Sequence, residues 1–212
     1  MLPSAVLLQP TIRAAGITGV SLASHGAAYD LIKIPAGGSR NPFAVDTAVD
    51  ETLMVISNGR AVFTEAVGMM ARTARVALDR AKLGIAAVDH WVPHQANARI
   101  MDATRKQLGI APEKLVSSVA EFGNSSAASI PFTWSHESAA RGIARGQHLL
   151  LTAAGAGLTG GAEHGHAGGR ADEADGAHHG DEDTKPDAVE ADAQDERQRH
   201  RHGDENGAHF VE

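Results

Sequence analysis

The chain has 212 residues, 42% of them hydrophobic, with 19 Lys and Arg against 26 Asp and Glu, enough for one ordinary domain or a little more. The acidity is confined to one end: residues 1–162 carry a net charge of about +3 and residues 163–212 a net of −10. Zero Cys excludes disulfides, cysteine metal sites and a cysteine nucleophile within this chain, and no run of roughly 18 apolar residues marks a membrane-spanning helix.

The opening "MLPSAVLLQP" lacks a basic segment before its short apolar run and makes a poor signal peptide, so the cytoplasm is the expected compartment. "SAVLLQ" (4–9) reads as a short strand stopped by Pro10. Residues 16–35 mix strand-like runs with turns. "AGGSRNPF" (36–43) is a loop by its turn residues, and "ETLMVIS" (51–57) could be a strand. The clearest helix runs from Gly59 to about Lys82, where Phe63, Val67, Met70, Ala74, Ala77 and Leu78 recur at spacings of three and four. Gly84 is its expected stop. "VDHWV" (88–92) has a buried-strand pattern and leads into a helix over 95–108. "EKLVSSVAEF" (113–122) reads as a strand, "GNSS" (123–126) as a turn, and a helix rich in small residues follows to about Arg141. "HLLLTAAGAG" (148–157) is a last strand entering a glycine turn.

Strands alternating with helices imply an α/β sheet with crossover connections. Such sheets carry chemistry where the C-terminal ends of strands meet loops. His94, Asn124 and the turn at 155–157 each fall at such an end. His94 precedes a helix mouth, whose partial positive charge disfavours imidazolium and keeps the ring a neutral donor. Asn124 offers a second neutral donor through its side-chain NH₂. From spacing alone, a packing or capping His and a turn-forming Asn stand beside this catalytic reading. His25, His136 and His148 have no partner visible in sequence, so surface or packing roles are expected for them.

The tail, 163–212, holds 7 of the 12 His, and its only large apolar side chains are Val189, Phe210 and Val211. So little apolar surface cannot offset the entropy of ordering, so the tail is expected to be disordered. Its "EHGH" and "AHHGDED" lack an ordered scaffold for a specific metal site. The small basic excess of the rest, without aromatic interleaving, gives no nucleic-acid signature.

"VPHQANARI", "EFGNSSAASIP" and "LLLTAAGAGLTGGA", preceded by "IPAGGSR" and "NGRAVFTEAV", resemble in unbroken order the C-terminal half of β-ketoacyl-ACP synthase III, over about residues 4–162. The resemblance implies a thiolase-like fold: residues 1–45 would end the N-terminal half and link it, 46–162 would be the C-terminal domain, a mixed sheet covered by helices, and 163–212 the tail. It implies catalytic roles for His94 ("PHQAN") and Asn124 ("GNSS") in decarboxylation of malonyl-ACP and Claisen condensation. It implies a backbone oxyanion donor at Ala156, pantetheine-tunnel positions at Phe63, Ala96 and Asn97, and a face at Arg99, Arg105 and Lys106 that meets acyl carrier protein and the CoA phosphates. Acyl-CoA and malonyl-ACP would be substrates, with no metal or other cofactor.

The sequence departs from the family pattern at both ends. The nucleophilic Cys belongs to the N-terminal half, near whose end residue 1 falls. After "GAGLTGGA" the family continues into a short apolar strand, whereas "EHGHAGGRADEADG" is not expected to form one; both ends read as cut. Two readings remain: a condensing enzyme that works only when another chain supplies the N-terminal half with its Cys, or a non-catalytic remnant or partner-binding half-domain; a separate N-terminal half or a homodimer is the expected partner.

Overall fold

The structure, a computed structural model, describes residues 4–6 and 16–167. Its strands are β1 (Ile17–Ser24), β2 (Ile32–Lys33), β3 (Val55–Ile56), β4 (His90–Pro93), β5 (His148–Gly155) and β6 (Thr159–His166). Its α-helices are α1 (Gly59–Arg80), α2 (Ala98–Leu108), α3 (Val119–Phe122) and α4 (Ser129–Arg141). The main sheet is mixed, in the order β1-β6-β5-β4. β4 and β5 are parallel, as a crossover through helices requires. β6 returns antiparallel on β5, and β1 closes antiparallel on β6. β2 and β3 form a separate two-stranded ribbon.

The core lies between one face of this sheet and α1. Of the stripe read from the sequence, Val67, Met70, Ala74, Ala77 and Leu78 are buried and Phe63 is half-buried, and Ala66 and Ala71 join them in the core. Asn58 caps the helix, its Oδ1 accepting from the Ala61 amide at 3.0 Å. The alanines let the helix lie close to β1. A Cβ on Gly19 would stand 2.0 Å from the Ala77 carbonyl oxygen, so no larger residue fits there. Trp91 and Leu150 from the sheet, Leu108 from α2 and Ile110 complete the cluster. α4 covers the other face near β4.

Several local expectations change. The α1 helix ends before Gly84; Lys82 takes the left-handed turn, at φ 58°. α2 starts at Ala98 rather than residue 95, because Asn97 caps it, its Oδ1 accepting from the Arg99 amide at 2.8 Å. Residues 113–122 are not a strand. Only Leu115 bridges to Trp91, after which the chain turns into the short helix α3. Residues 51–57 yield only β3, after a 3-10 turn over Val49–Thr52. Residues 4–6 have no regular structure, and the rest of the strand expected at 4–9 lies outside the described residues.

The largest correction is at "EHGH". These residues are the second half of β6, paired on both edges: Glu163 with Leu151 and Val20, His164 with Leu150 and Gly19. Burial alternates from Ala162 to Gly165, with Ala162 and His164 facing in, as a strand requires. His164 is fully buried, its Nδ1 2.6 Å from Thr18 Oγ1 and its Nε2 3.2 Å from His148 Nδ1. The His148 and His166 rings pack at 4.8 Å between centroids. Both ring nitrogens of His164 are thus partnered, whereas His166 only packs its ring on the other two and leaves its buried Nδ1 without a hydrogen bond among the described residues. Among the described residues, no three His, Asp or Glu side chains are arranged to hold a metal ion. His25 and His136 take surface roles, 3.1 Å from Glu65 and Glu137 respectively. The tail beyond residue 167 lies outside the described residues.

Candidate active site

β4 ends at Pro93, and the His94 amide extends its ladder by donating to the Thr152 carbonyl at 2.8 Å. That bond fixes the backbone of His94 at the end of the parallel pair. The ring is half-buried, with Nδ1 2.6 Å from the hydroxyl of Ser129, the first residue of α4. Burial holds the imidazole pKa below its ordinary value. The ring is therefore neutral near pH 7, as expected, but the cause is desolvation; the nearest following helix begins four residues on, at Ala98.

Gln95 is fully buried and ties the His94 segment to the chain before α3. Its Nε2 donates to the Pro93 carbonyl at 2.6 Å, and its Oε1 accepts from the Ser118 amide at 3.0 Å and the Ser117 hydroxyl at 3.3 Å. Its own amide donates to Ser129 Oγ at 3.2 Å. Ser118 in turn shares a 2.6 Å hydrogen bond with Thr133 of α4. Gln95 and Ser129 were not singled out in the sequence. The available signal was a Gln in the midst of the "VPHQAN" strand end, where a polar side chain needs buried partners.

His94 opens onto a cavity of about 710 Å³ between α4 and the sheet face opposite α1. Ser126 and Ile130 line it on one side, and Leu151, Leu22 and Glu163 on the other. Burial pushes the Glu163 carboxyl pKa up. Gly155 reaches the cavity rim, whereas Ala156 is exposed at the tip of the β5–β6 turn, its carbonyl accepting from Thr159 Oγ1 at 3.1 Å. Gly157 holds that turn at φ 126°, a left-handed backbone that also brings a would-be Cβ to 2.9 Å from Thr159.

Asn124 is exposed and does not line the cavity, although the next residues of its turn do. Its Oδ1 accepts from the Ser126 amide at 2.8 Å. Phe63 is half-buried on the first turns of α1, while Ala96, Asn97 and Arg99 are exposed. The three cations differ. Arg105 is committed to its own fold, its guanidinium donating to Asp102 at 2.9 Å and to the Ile110 carbonyl at 2.9 Å. Lys106 pairs with the same Asp102 at 2.7 Å. Arg99 forms no ion pair among the described residues.

Residues 78–164 match the sequence profile of the family described as 3-oxoacyl-[acyl-carrier-protein (ACP)] synthase III C terminal. A 3-oxopimeloyl-[acyl-carrier-protein] synthase of Brucella abortus is 42% identical over 158 residues, which are 74% of this chain and 48% of that protein. A β-ketoacyl-[acyl-carrier-protein] synthase III of Desulfitobacterium hafniense is 40% identical over the same shares. The crystal structure of the synthase III from Thermus thermophilus superposes with a TM-score of 0.65 at 33% identity, over 74% of this chain and 47% of that one. The chain thus spans about half the length of the relatives it matches. Together with the mixed sheet, α1 and the His94 strand end, these likenesses show that the chain carries the C-terminal domain of the 3-oxoacyl-ACP synthase III family, on a thiolase-like fold.

Proposed function

We propose that this chain supplies the decarboxylating half of a condensing site, with His94 as its central donor. The observation that carries the proposal is a neutral, half-buried imidazole held at the end of a parallel strand pair and opening onto a cavity. When a malonyl thioester loses CO₂, the electrons of the breaking C–C bond move into the thioester and leave an enolate oxygen. A neutral N–H donor in a desolvated site stabilises that charge as it forms and needs no proton to be lost beforehand. Asn124 lies outside the cavity, its Oδ1 accepting from the Ser126 amide; it would serve as second donor only if its turn moved to bring the NH₂ to the enolate. The exposed turn at Ala156 would offer a backbone N–H to the electrophilic thioester.

The enolate carbon must attack an acyl group, and the chain has no Cys to carry one. The acyl thioester would then sit on a cysteine outside these 212 residues, whose thiolate leaves as the new C–C bond forms. Acyl carrier protein and acyl-CoA are the proposed partners, approaching over Arg99 and Lys106; Arg105 holds the α2 C-terminus. The names of the two 3-oxopimeloyl synthases, 42% and 43% identical to this chain, suggest one acyl donor to include. A seven-carbon 3-oxo diacid chain less the two carbons from malonyl is a five-carbon ω-carboxyacyl group.

The test incubates the purified chain with labelled acetyl-CoA or glutaryl-CoA, alone and with an N-terminal half from a synthase III relative, and counts protein-bound label. Label is expected only on the added half. Label on this chain, or none on the pair, contradicts the proposal.

A further inference from the structure

We infer that Ser129 sets the tautomer of His94, holding the proton on Nε2 where the ring opens to the cavity. The inference rests on the function proposed above for its meaning in catalysis, but its geometry stands alone. Ser129 is 1% exposed, so its single hydroxyl hydrogen needs a protein acceptor. Its oxygen has two contacts: the Gln95 amide at 3.2 Å and His94 Nδ1 at 2.6 Å. The amide can only donate, so it uses one lone pair of the hydroxyl oxygen.

Two arrangements remain for the contact with Nδ1. If Nδ1 carried the proton, the hydroxyl oxygen would accept twice, and its own hydrogen would have no acceptor among the described residues. If the hydroxyl donates to a bare Nδ1, all three groups are satisfied at once. The second arrangement requires the ring proton to sit on Nε2. A buried donor left without an acceptor is the costly alternative, so the network selects the tautomer.

The sequence builds this contact through the start of α4. Ser129 is the first helical residue, and Pro131 sits where the helix needs no amide donor. The serine is therefore fixed on a helix that Thr133 and Ser118 lock to the same segment as Gln95. Ser129 is a positioning residue: it touches the ring, not the substrate.

The test is nitrogen NMR on the full-length chain labelled at histidine, with a His94→Gln variant to assign the resonance. At pH 7.5 the wild-type chain is expected to show an unprotonated Nδ1 and a protonated Nε2 at His94. Ser129→Ala should shift His94 toward a mixture of tautomers. It should also move the ring's titration to higher pH, since the donor that favours the neutral ring is gone. A wild-type His94 protonated on Nδ1 overturns the inference, as does a folded Ser129→Ala chain with an unchanged His94 spectrum. The wild-type reading needs no variant to fold. A correct tautomer in a chain that never supports condensation would refute the proposed function and leave this inference standing.

Discussion

At the scale of single residues, the site depends on who occupies which lone pair. His94 was legible from its place at a strand end, because a His between a buried strand and a polar turn needs a reason to be there. Its helpers were not. Gln95 and Ser129 lie 34 positions apart and nothing in their spacing announces that they meet. Gln95→Leu keeps the volume but strands the Ser118 amide and the Pro93 carbonyl in the interior. By the usual cost of buried unpaired groups it should destabilise the chain by roughly 2–4 kcal/mol, read as a fall in the urea midpoint at unchanged slope. An unchanged midpoint would mean that water reaches those groups and that Gln95 is no clamp.

At the scale of elements, α1 was readable because its apolar period runs over 22 residues, and β5 because its leucines are continuous. Residues 113–122 misled because alternation suggests a strand, while Pro112 starts a 3-10 turn and Gln95 captures the Ser118 amide that a ladder would use. β6 misled in the opposite sense. "EHGH" counts as polar, yet it runs as a strand whose His164 faces in, hydrogen-bonded to Thr18 and stacked on His148. That arrangement predicts a pH dependence. Burial, with the charges of His148 and His166 adding to it, holds the His164 pKa down to about 4, against about 6.5 in an unfolded chain. Above pH 6.5 neither state binds the proton, so stability is complete. As pH falls toward 4 the unfolded chain takes up a proton that the folded chain refuses. Stability should drop across that window by up to about 3 kcal/mol, the His94 shift acting in the same direction. Guanidinium unfolding at several pH values checks this, and His164→Val should flatten the curve. β6 also sets where the chain can be shortened. Ending it at Ala162 removes Glu163–His166 and their pairs on β1 and β5, and should abolish cooperative unfolding; ending it at Ala167 keeps every described strand pair.

At the scale of the whole molecule, one face of the sheet is covered by α1 and the other only partly by α4. Leu22 is 84% exposed on the uncovered side, beside Val20, and Phe43, Val45, Leu53 and Met54 are exposed on the segment between β2 and β3. An apolar surface of this extent needs a cover in water, and the chain spans about half the length of its relatives. The purified chain should therefore bind a hydrophobic dye and self-associate, and an added N-terminal half should suppress both; a monodisperse, dye-silent monomer would contradict this. The order of motifs made the family readable, but the extent of this face was not, since strands β1 and β6 meet only in three dimensions. The central claim is that His94 belongs to the decarboxylating half of a site completed by a cysteine elsewhere. Its most direct test is formation of a 3-oxoacyl thioester from malonyl-ACP by this chain mixed with an acylated N-terminal half. The account predicts product with the wild-type chain and a loss of roughly 10²–10³-fold with His94→Ala, the scale of removing one preorganised oxyanion donor, while the acyl label on the partner's cysteine is unchanged. Equal product from the wild-type and His94→Ala chains would contradict it.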